Sequence, residues 1–196
     1  MLQRLPQTAG LGILKSVYRN LVRRKLSAIP GEIKRKWDQQ IFHQVISHPK
    51  VLRASSIICY VSLPNEVDTW AMIGWLIQQG KKVWVPRVSQ DGKRMEIYPL
   101  RAIDRLAQGY AGIWEPEQKP VKKLNKQSIQ MIIVPGVAFD SRGARLGRGG
   151  GHFDRFLSQY PSLYKLGLAY QPQIFSSLPQ GQYDISMDEV IIGGKS

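Results

Sequence analysis

The stretch Met131-Ile132-Ile133-Val134-Pro135-Gly136-Val137-Ala138-Phe139-Asp140-Ser141-Arg142-Gly143-Ala144-Arg145-Leu146-Gly147-Arg148-Gly149-Gly150-Gly151-His152-Phe153-Asp154-Arg155-Phe156-Leu157 joins three local signals in one run. It opens on a short apolar segment, Met131 to Val134, that reads as a buried strand. It finishes inside an amphipathic pattern that predicts a helix, and glycines crowd the connection. In open α/β sheets ligands bind outside the carboxyl ends of strands, so a strand, a glycine-rich loop and a helix start suit a phosphate. Glycines let backbone N–H groups approach an anion and permit positive φ. Arg145 and Arg148 would add charge-assisted hydrogen bonds. The pattern is neither Gly-x-Gly-x-x-Gly nor a P-loop, because no Lys-Ser or Lys-Thr follows the glycines. Read alone, the stretch is an anion cradle or a tight turn with no ligand.

The rest of the chain supplies the sheet. Ile57 to Val61 reads as a strand, Trp70 to Gln79 as a helix and Lys82 to Pro86 as a second strand, which is a βαβ rhythm. Met95 to Pro99, Leu166 to Tyr170 and Glu189 to Ile192 complete the set. These runs predict an α/β fold of three layers, α/β/α and Rossmann-like, with a mainly parallel or mixed central sheet. Residues 1–47 read as a basic helical part of the same domain, which is expected to span 1–196. Its two helices are separated at Ile29-Pro30-Gly31. The first carries Leu14, Val17, Leu21 and Val22 on one side, with Lys15, Arg19 and Arg23 on another. The second carries Ile33, Trp37, Ile41 and Val45, widened by Phe42 and Ile46, as a face for the sheet. Segment 110–128 reads as an irregular connection.

With 196 residues, 43% hydrophobic and 21% charged, the chain has enough apolar matter for a core and is not disordered over most of its length. A net charge of +14 favours polyanionic partners such as nucleic acid, nucleotides or a polyglutamylated substrate. The basic groups ahead of residue 37 form a solvated helical face or include a phosphate-facing subset. The single Cys59 rules out an internal disulfide, reads as a buried small hydrophobe and fits a reducing compartment. No basic n-region precedes a long apolar h-region, and no run approaches the roughly 20 apolar residues of a membrane span, so the expected location is the cytoplasm. His43 and His48 have no partners at metal-ligand spacing.

The quoted stretch, from Val134-Pro135-Gly136 through Phe139-Asp140 and Arg145-Leu146-Gly147 to the glycine run and Asp154-Arg155, resembles the hallmark of the 5-formyltetrahydrofolate cyclo-ligases, or methenyltetrahydrofolate synthetases. Other segments fall in the family's order: Lys15 with Arg19, Glu66-Val67-Asp68-Thr69, Gly80-Lys81-Lys82-Val83, Pro86-Arg87-Val88 and Met95. Gly112-Ile113, Glu115-Pro116 and Asp188-Glu189-Val190-Ile191 complete a likeness over about residues 15 to 192.

The resemblance implies an ATP- and magnesium-dependent enzyme, a monomer, that converts 5-formyltetrahydrofolate to 5,10-methenyltetrahydrofolate with release of ADP and phosphate. It implies that Lys15 and Arg19 reach the ATP phosphates, and that Arg145, Leu146, Gly147, Arg148, Gly149, Gly150, Gly151, His152 and Phe153 surround the nucleotide. Asp154 and Asp188 would hold magnesium. Val61, Glu66 and Met95, with Arg148, Gly151 and His152, would meet the folate, and Arg145, Arg148 and His152 would serve the chemistry. Read without the resemblance, Asp154 is a first-turn helix carboxylate, Asp188 a turn acid, Glu66 a solvated loop acid, and Val61 and Met95 core filling. His152-Phe153 departs from the tyrosine pair usual in the family, so both phenol hydroxyls are absent. His152 is then a hydrogen-bond donor, a proton carrier or a plain aromatic substitute. Two rival functions remain at this point: a non-catalytic relative binding nucleic acid, and a sugar-phosphate enzyme on a similar scaffold. Retention of both metal carboxylates and the glycine loop, without RNP-like aromatics or zinc-finger spacing, favours the enzyme on a small-molecule substrate.

Overall fold

Side chains along a strand alternate between two faces, so each apolar run of this chain feeds two cores at once. The computed structural model describes residues 10–89, 91–92, 94–103, 106–108, 114–116 and 129–194. In chain order it contains α1 (Leu11–Ser27), α2 (Gly31–Ser47), α3 (Pro49–Arg53), β1 (Ser56–Cys59), α4 (Trp70–Gln78), β2 (Lys82–Val88), β3 (Met95–Leu100), β4 (Leu106–Gln108) and β5 (Trp114–Pro116). There follow β6 (Met131–Val134), β7 (Ala138–Asp140), β8 (Arg145–Leu146), α5 (His152–Leu157), β9 (Tyr164–Tyr170), β10 (Ile174–Phe175) and β11 (Glu189–Gly193).

The main sheet has the order β11-β9-β6-β1-β2-β3, parallel throughout except for β3, which pairs antiparallel with β2. Ile57, Cys59, Ile133 and Leu166 enter one core with Ile41 and Val45 of α2 and Met72 and Leu76 of α4. Ile58, Ile132 and Val134 enter the other, against Phe156 and Leu157 of α5 and Phe139 of β7. The expected three layers are present, but the second face is covered by one short helix and the small sheet β10-β7-β8. Gly143 turns β7 into β8 at φ 82, and a Cβ there would lie 2.3 Å from the Met187 carbonyl oxygen.

The first helix is turned only partly as expected. Val22 is its one buried residue, joined to the small sheet through Ala138, Leu146 and Phe175, while Val17 and Leu21 remain exposed. What turns inward beside Val22 is the side carrying Lys15 and Arg19, because both cations find partners on the loops beneath. Among the described residues no helix is long and apolar enough to cross a membrane. Gly112-Ile113 and most of segment 110–128 lie outside the described residues.

Candidate active site

Parallel strands deliver their following loops to one edge, and here those loops enclose a cavity of about 740 Å³. The chain leaving β1 contributes Val61 and Glu66, and the β2–β3 hairpin contributes Arg87 and Met95. The glycine loop after β8 contributes Gly147, Arg148, Gly150 and Gly151, and α5 adds His152, Phe153 and Asp154.

The loop is shaped to leave its donors free. Gly149 lies at φ 117 and Gly151 at φ 65, conformations that L side chains rarely adopt. Among the described residues no acceptor takes the backbone N–H groups of Gly147 to Gly151. A run of unpaired amides beside cationic side chains is a nest for an anion. Arg19 braces the loop from behind, its Nε donating to the Gly147 carbonyl at 2.8 Å, with its guanidinium alongside Gly149. Lys15 forms an ion pair with Asp184. Burial alone would raise that carboxyl, but the Gly181 N–H and Lys15 outweigh it and hold Asp184 below the usual range. Arg19 thus stands behind the loop, Lys15 lies against Gly181 and Asp184, and neither lines the cavity. Leu146 also points away, into the core beneath α1.

Arg145 is a buried cation at the cavity floor, its side chain 2% exposed. It donates to Asp154 Oδ1 at 2.8 Å and to the Pro135 carbonyl at 3.3 Å, while its Nε has no partner. The Phe153 ring lies 5.7 Å from the guanidinium, close enough for a cation–π contact. Arg148 reaches across the opening to Glu66 Oε1 at 2.9 Å, and Glu66 Oε2 accepts the Leu63 N–H at 3.0 Å. The His152 imidazole lies against Gly150 and its Nδ1 accepts from Arg155 at 3.0 Å. Burial, then the neighbouring Arg155 charge, lower its pKa, so the ring is neutral near pH 7. With Nδ1 accepting from a guanidinium, the ring proton belongs on Nε2, which is then a donor.

Asp154 and Asp188 stand differently with respect to the cavity. Asp154 lines the cavity and both its hydrogen bonds, from Arg145 and the Ile185 N–H, fall on Oδ1. Asp188 precedes β11 and accepts from Lys165 at the level where Lys165 pairs with Ile132, two residues before β6 ends. That is the amino side of the sheet, two strands from β6, and Asp188 is not among the cavity's lining residues. Magnesium commonly takes one or two carboxylates together with substrate phosphates, and of the two Asp154 is the one whose carboxylate lines the cavity.

Sequence reading missed Tyr60 and Trp114. Tyr60 lies inside the first apolar run and reads as one more core residue. Trp114 sits edge-on to Trp70 at 5.4 Å and adds an aromatic wall, but its surroundings in the sequence show no periodicity. Aromatic and apolar walls, with two carboxylates, three arginines and free amides, suit an anionic nucleotide beside a flat heterocycle.

The description of the 5-formyltetrahydrofolate cyclo-ligase family matches residues 14–193, from α1 to the end of β11. The chain belongs to that family. A probable 5-formyltetrahydrofolate cyclo-ligase of Caenorhabditis elegans is 28% identical over 194 residues, covering 93% of this chain and 94% of its own. The 5-formyltetrahydrofolate cyclo-ligase of Haemophilus influenzae is 31% identical over 159 residues, covering 80% and 85%. The solved 5,10-methenyltetrahydrofolate synthetase of Aquifex aeolicus superposes with a TM-score of 0.79 at 30% identity, over 91% of this chain and 89% of its own. The Mycoplasma pneumoniae synthetase, at 23% identity and a TM-score of 0.71 over 90% and 97%, shares the fold. The cyclo-ligase match thus spans every element that lines the cavity.

Proposed function

We propose that this cyclo-ligase, which closes the formyl group of 5-formyltetrahydrofolate onto N10 to give 5,10-methenyltetrahydrofolate, uses ATP bound by the glycine loop to activate the formyl oxygen. That oxygen is amide-like and a poor leaving group. It attacks the γ-phosphorus, ADP departs, and the formyl carbon becomes electrophilic. N10 then attacks that carbon, loses its proton, and the C–O bond breaks with release of phosphate. The chain's own contribution is to position reactants and stabilise charge.

The carrying observation is the run of unpaired N–H groups from Gly147 to Gly151 beside Arg145 and Arg148. Those amides hold the phosphate oxygens, and Arg145 anchors Asp154 while adding positive potential from the floor. Magnesium, held by Asp154 and the phosphates, would neutralise charge on the transferring group. His152 donates Nε2–H toward a phosphate or formyl oxygen and supplies the polar contact that a phenol would otherwise make. Glu66 offers a carboxylate to the N–H edge of the pterin, with Val61, Met95 and Trp114 as apolar walls. Arg148 and Arg87 at the opening favour the glutamate tail, polyglutamylated or not. The buried, unpaired Cys59 is compatible with a monomer working in the reducing cytoplasm.

The test is absorbance of methenyltetrahydrofolate formed from 5-formyltetrahydrofolate with ATP and magnesium. Turnover is expected with all three and none without ATP. No turnover, together with tight salt-sensitive nucleic-acid binding, would overturn the reading.

A further inference from the structure

The chain from Val61 to Thr69 carries Glu66, and the structure supports it from beneath at two consecutive carbonyls. Tyr60, just past β1, donates its hydroxyl to the Val67 carbonyl at 3.0 Å. Tyr170, the last residue of β9, donates to Asp38 Oδ1 and brings the same hydroxyl within 3.1 Å of the Glu66 carbonyl. Asp38 Oδ1 also accepts the Asp68 N–H at 3.0 Å, and Oδ2 takes the Lys34 ammonium at 3.2 Å. A carboxylate from α2 and a phenol from β9 therefore meet under the loop, and neither lines the cavity.

The phenol is tightly set. Tyr170 is 1% exposed, its ring tilts against Trp37 at 5.8 Å, and Lys34 stands over it. Burial and then the Asp38 bond raise its pKa, so it stays a donor. On the upper side of the loop the Glu66 side chain is fixed by the Leu63 N–H and Arg148. The glycine loop hangs from β8 and α5 instead, with its own brace in Arg19.

We propose that Tyr170 and Asp38 are positioning residues for the folate side of the cavity. They hold peptides 66 to 68 at the height where the Glu66 carboxylate enters the site, and leave the nucleotide side alone. The proposal rests on the reading above that Glu66 meets the folate.

Tyr170→Phe keeps the ring and removes the hydroxyl, and Asp38→Ala removes the acceptor of the Asp68 N–H. Each is expected to raise KM for 5-formyltetrahydrofolate about fivefold, with kcat and KM for ATP within about twofold. Asp38→Asn keeps an acceptor oxygen and is expected to recover most of the loss. Both KM values rising together, or neither rising, would overturn the proposal. Amide hydrogen exchange gives an arm that needs no substrate: the Asp68 N–H should exchange about tenfold faster in Asp38→Ala, and unchanged exchange also overturns it. Glu66→Gln separates the two readings. If it leaves the folate KM unchanged while the Asp68 amide is freed in Asp38→Ala, the role of Glu66 fails and the support of the loop stands.

Discussion

At the carboxyl edge of the sheet Asp154 faces the cavity with a buried arginine whose Nε lacks a partner and a loop whose amides have no acceptor. At the amino edge Asp188 accepts from both the backbone and the ammonium of Lys165, and the adjacent Glu189 accepts from Tyr164 at 2.6 Å and meets His48 at 3.1 Å. The residue types are alike and the completeness of the local pairing is not. Charges that close a structure are satisfied by their neighbours, whereas charges that serve a ligand leave donors over. The surplus at the carboxyl edge is positive, which suits a polyphosphate.

The largest effect that sharpens this contrast is expected from Asp154→Asn. Replacing the carboxylate weakens magnesium placement and the hold on Arg145. Turnover should fall at least about tenfold, roughly 1.4 kcal/mol of barrier, with part of the loss recovered at high magnesium. Rates measured across a magnesium titration check this, and an undiminished rate at limiting magnesium removes Asp154 from the mechanism.

How much of this contrast was legible in the sequence depends on whether the deciding partner is local. Strands β1, β6 and β9 announce themselves because unbroken apolar runs have few alternatives to burial on both faces. The glycine loop is equally plain, since its composition and its place after a strand carry the meaning. The face of α1 is not, because periodicity weighs apolarity, whereas Arg19 and Lys15 turn inward to partners 128 and 169 residues away. Strands β7, β8 and β10, of two or three residues, are too short to show a period. Asp188 shows what residue type leaves out: the strand register that sets it beside Lys165 at the start of β11 is not visible in the sequence. The Tyr170–Asp38 support is invisible for a similar reason, since it joins the end of one strand to a helix 132 residues earlier.

Asp188→Asn is the direct attempt to break the comparison. Turnover within about twofold of the wild-type rate is expected, with unchanged magnesium dependence. Because the side chain is 40% exposed, loss of its ion pair with Lys165 should cost only about 0.5 kcal/mol in urea unfolding. A fall in turnover as deep as that of Asp154→Asn would mean that the two carboxylates act on one centre and that the edges are not separate.

The smallest effect should appear at Glu189, where pH isolates the amino edge. The Tyr164 hydrogen bond, opposed by burial and then aided by His48, holds this carboxyl below its usual range. A carboxyl with a depressed folded pKa binds its proton more readily in the unfolded chain. Its contribution to stability is therefore complete above the unfolded value and disappears as pH falls through the folded one. With the side chain 45% exposed, solvent screening limits that contribution to a few tenths of a kcal/mol. Wild type should exceed Glu189→Gln in urea midpoint at about pH 7, and the gap should close as pH falls through and below the usual carboxylate range, with equal turnover at the higher pH. A difference that persists at low pH would assign the effect to shape rather than charge, and a loss of turnover would tie the amino edge to the chemistry.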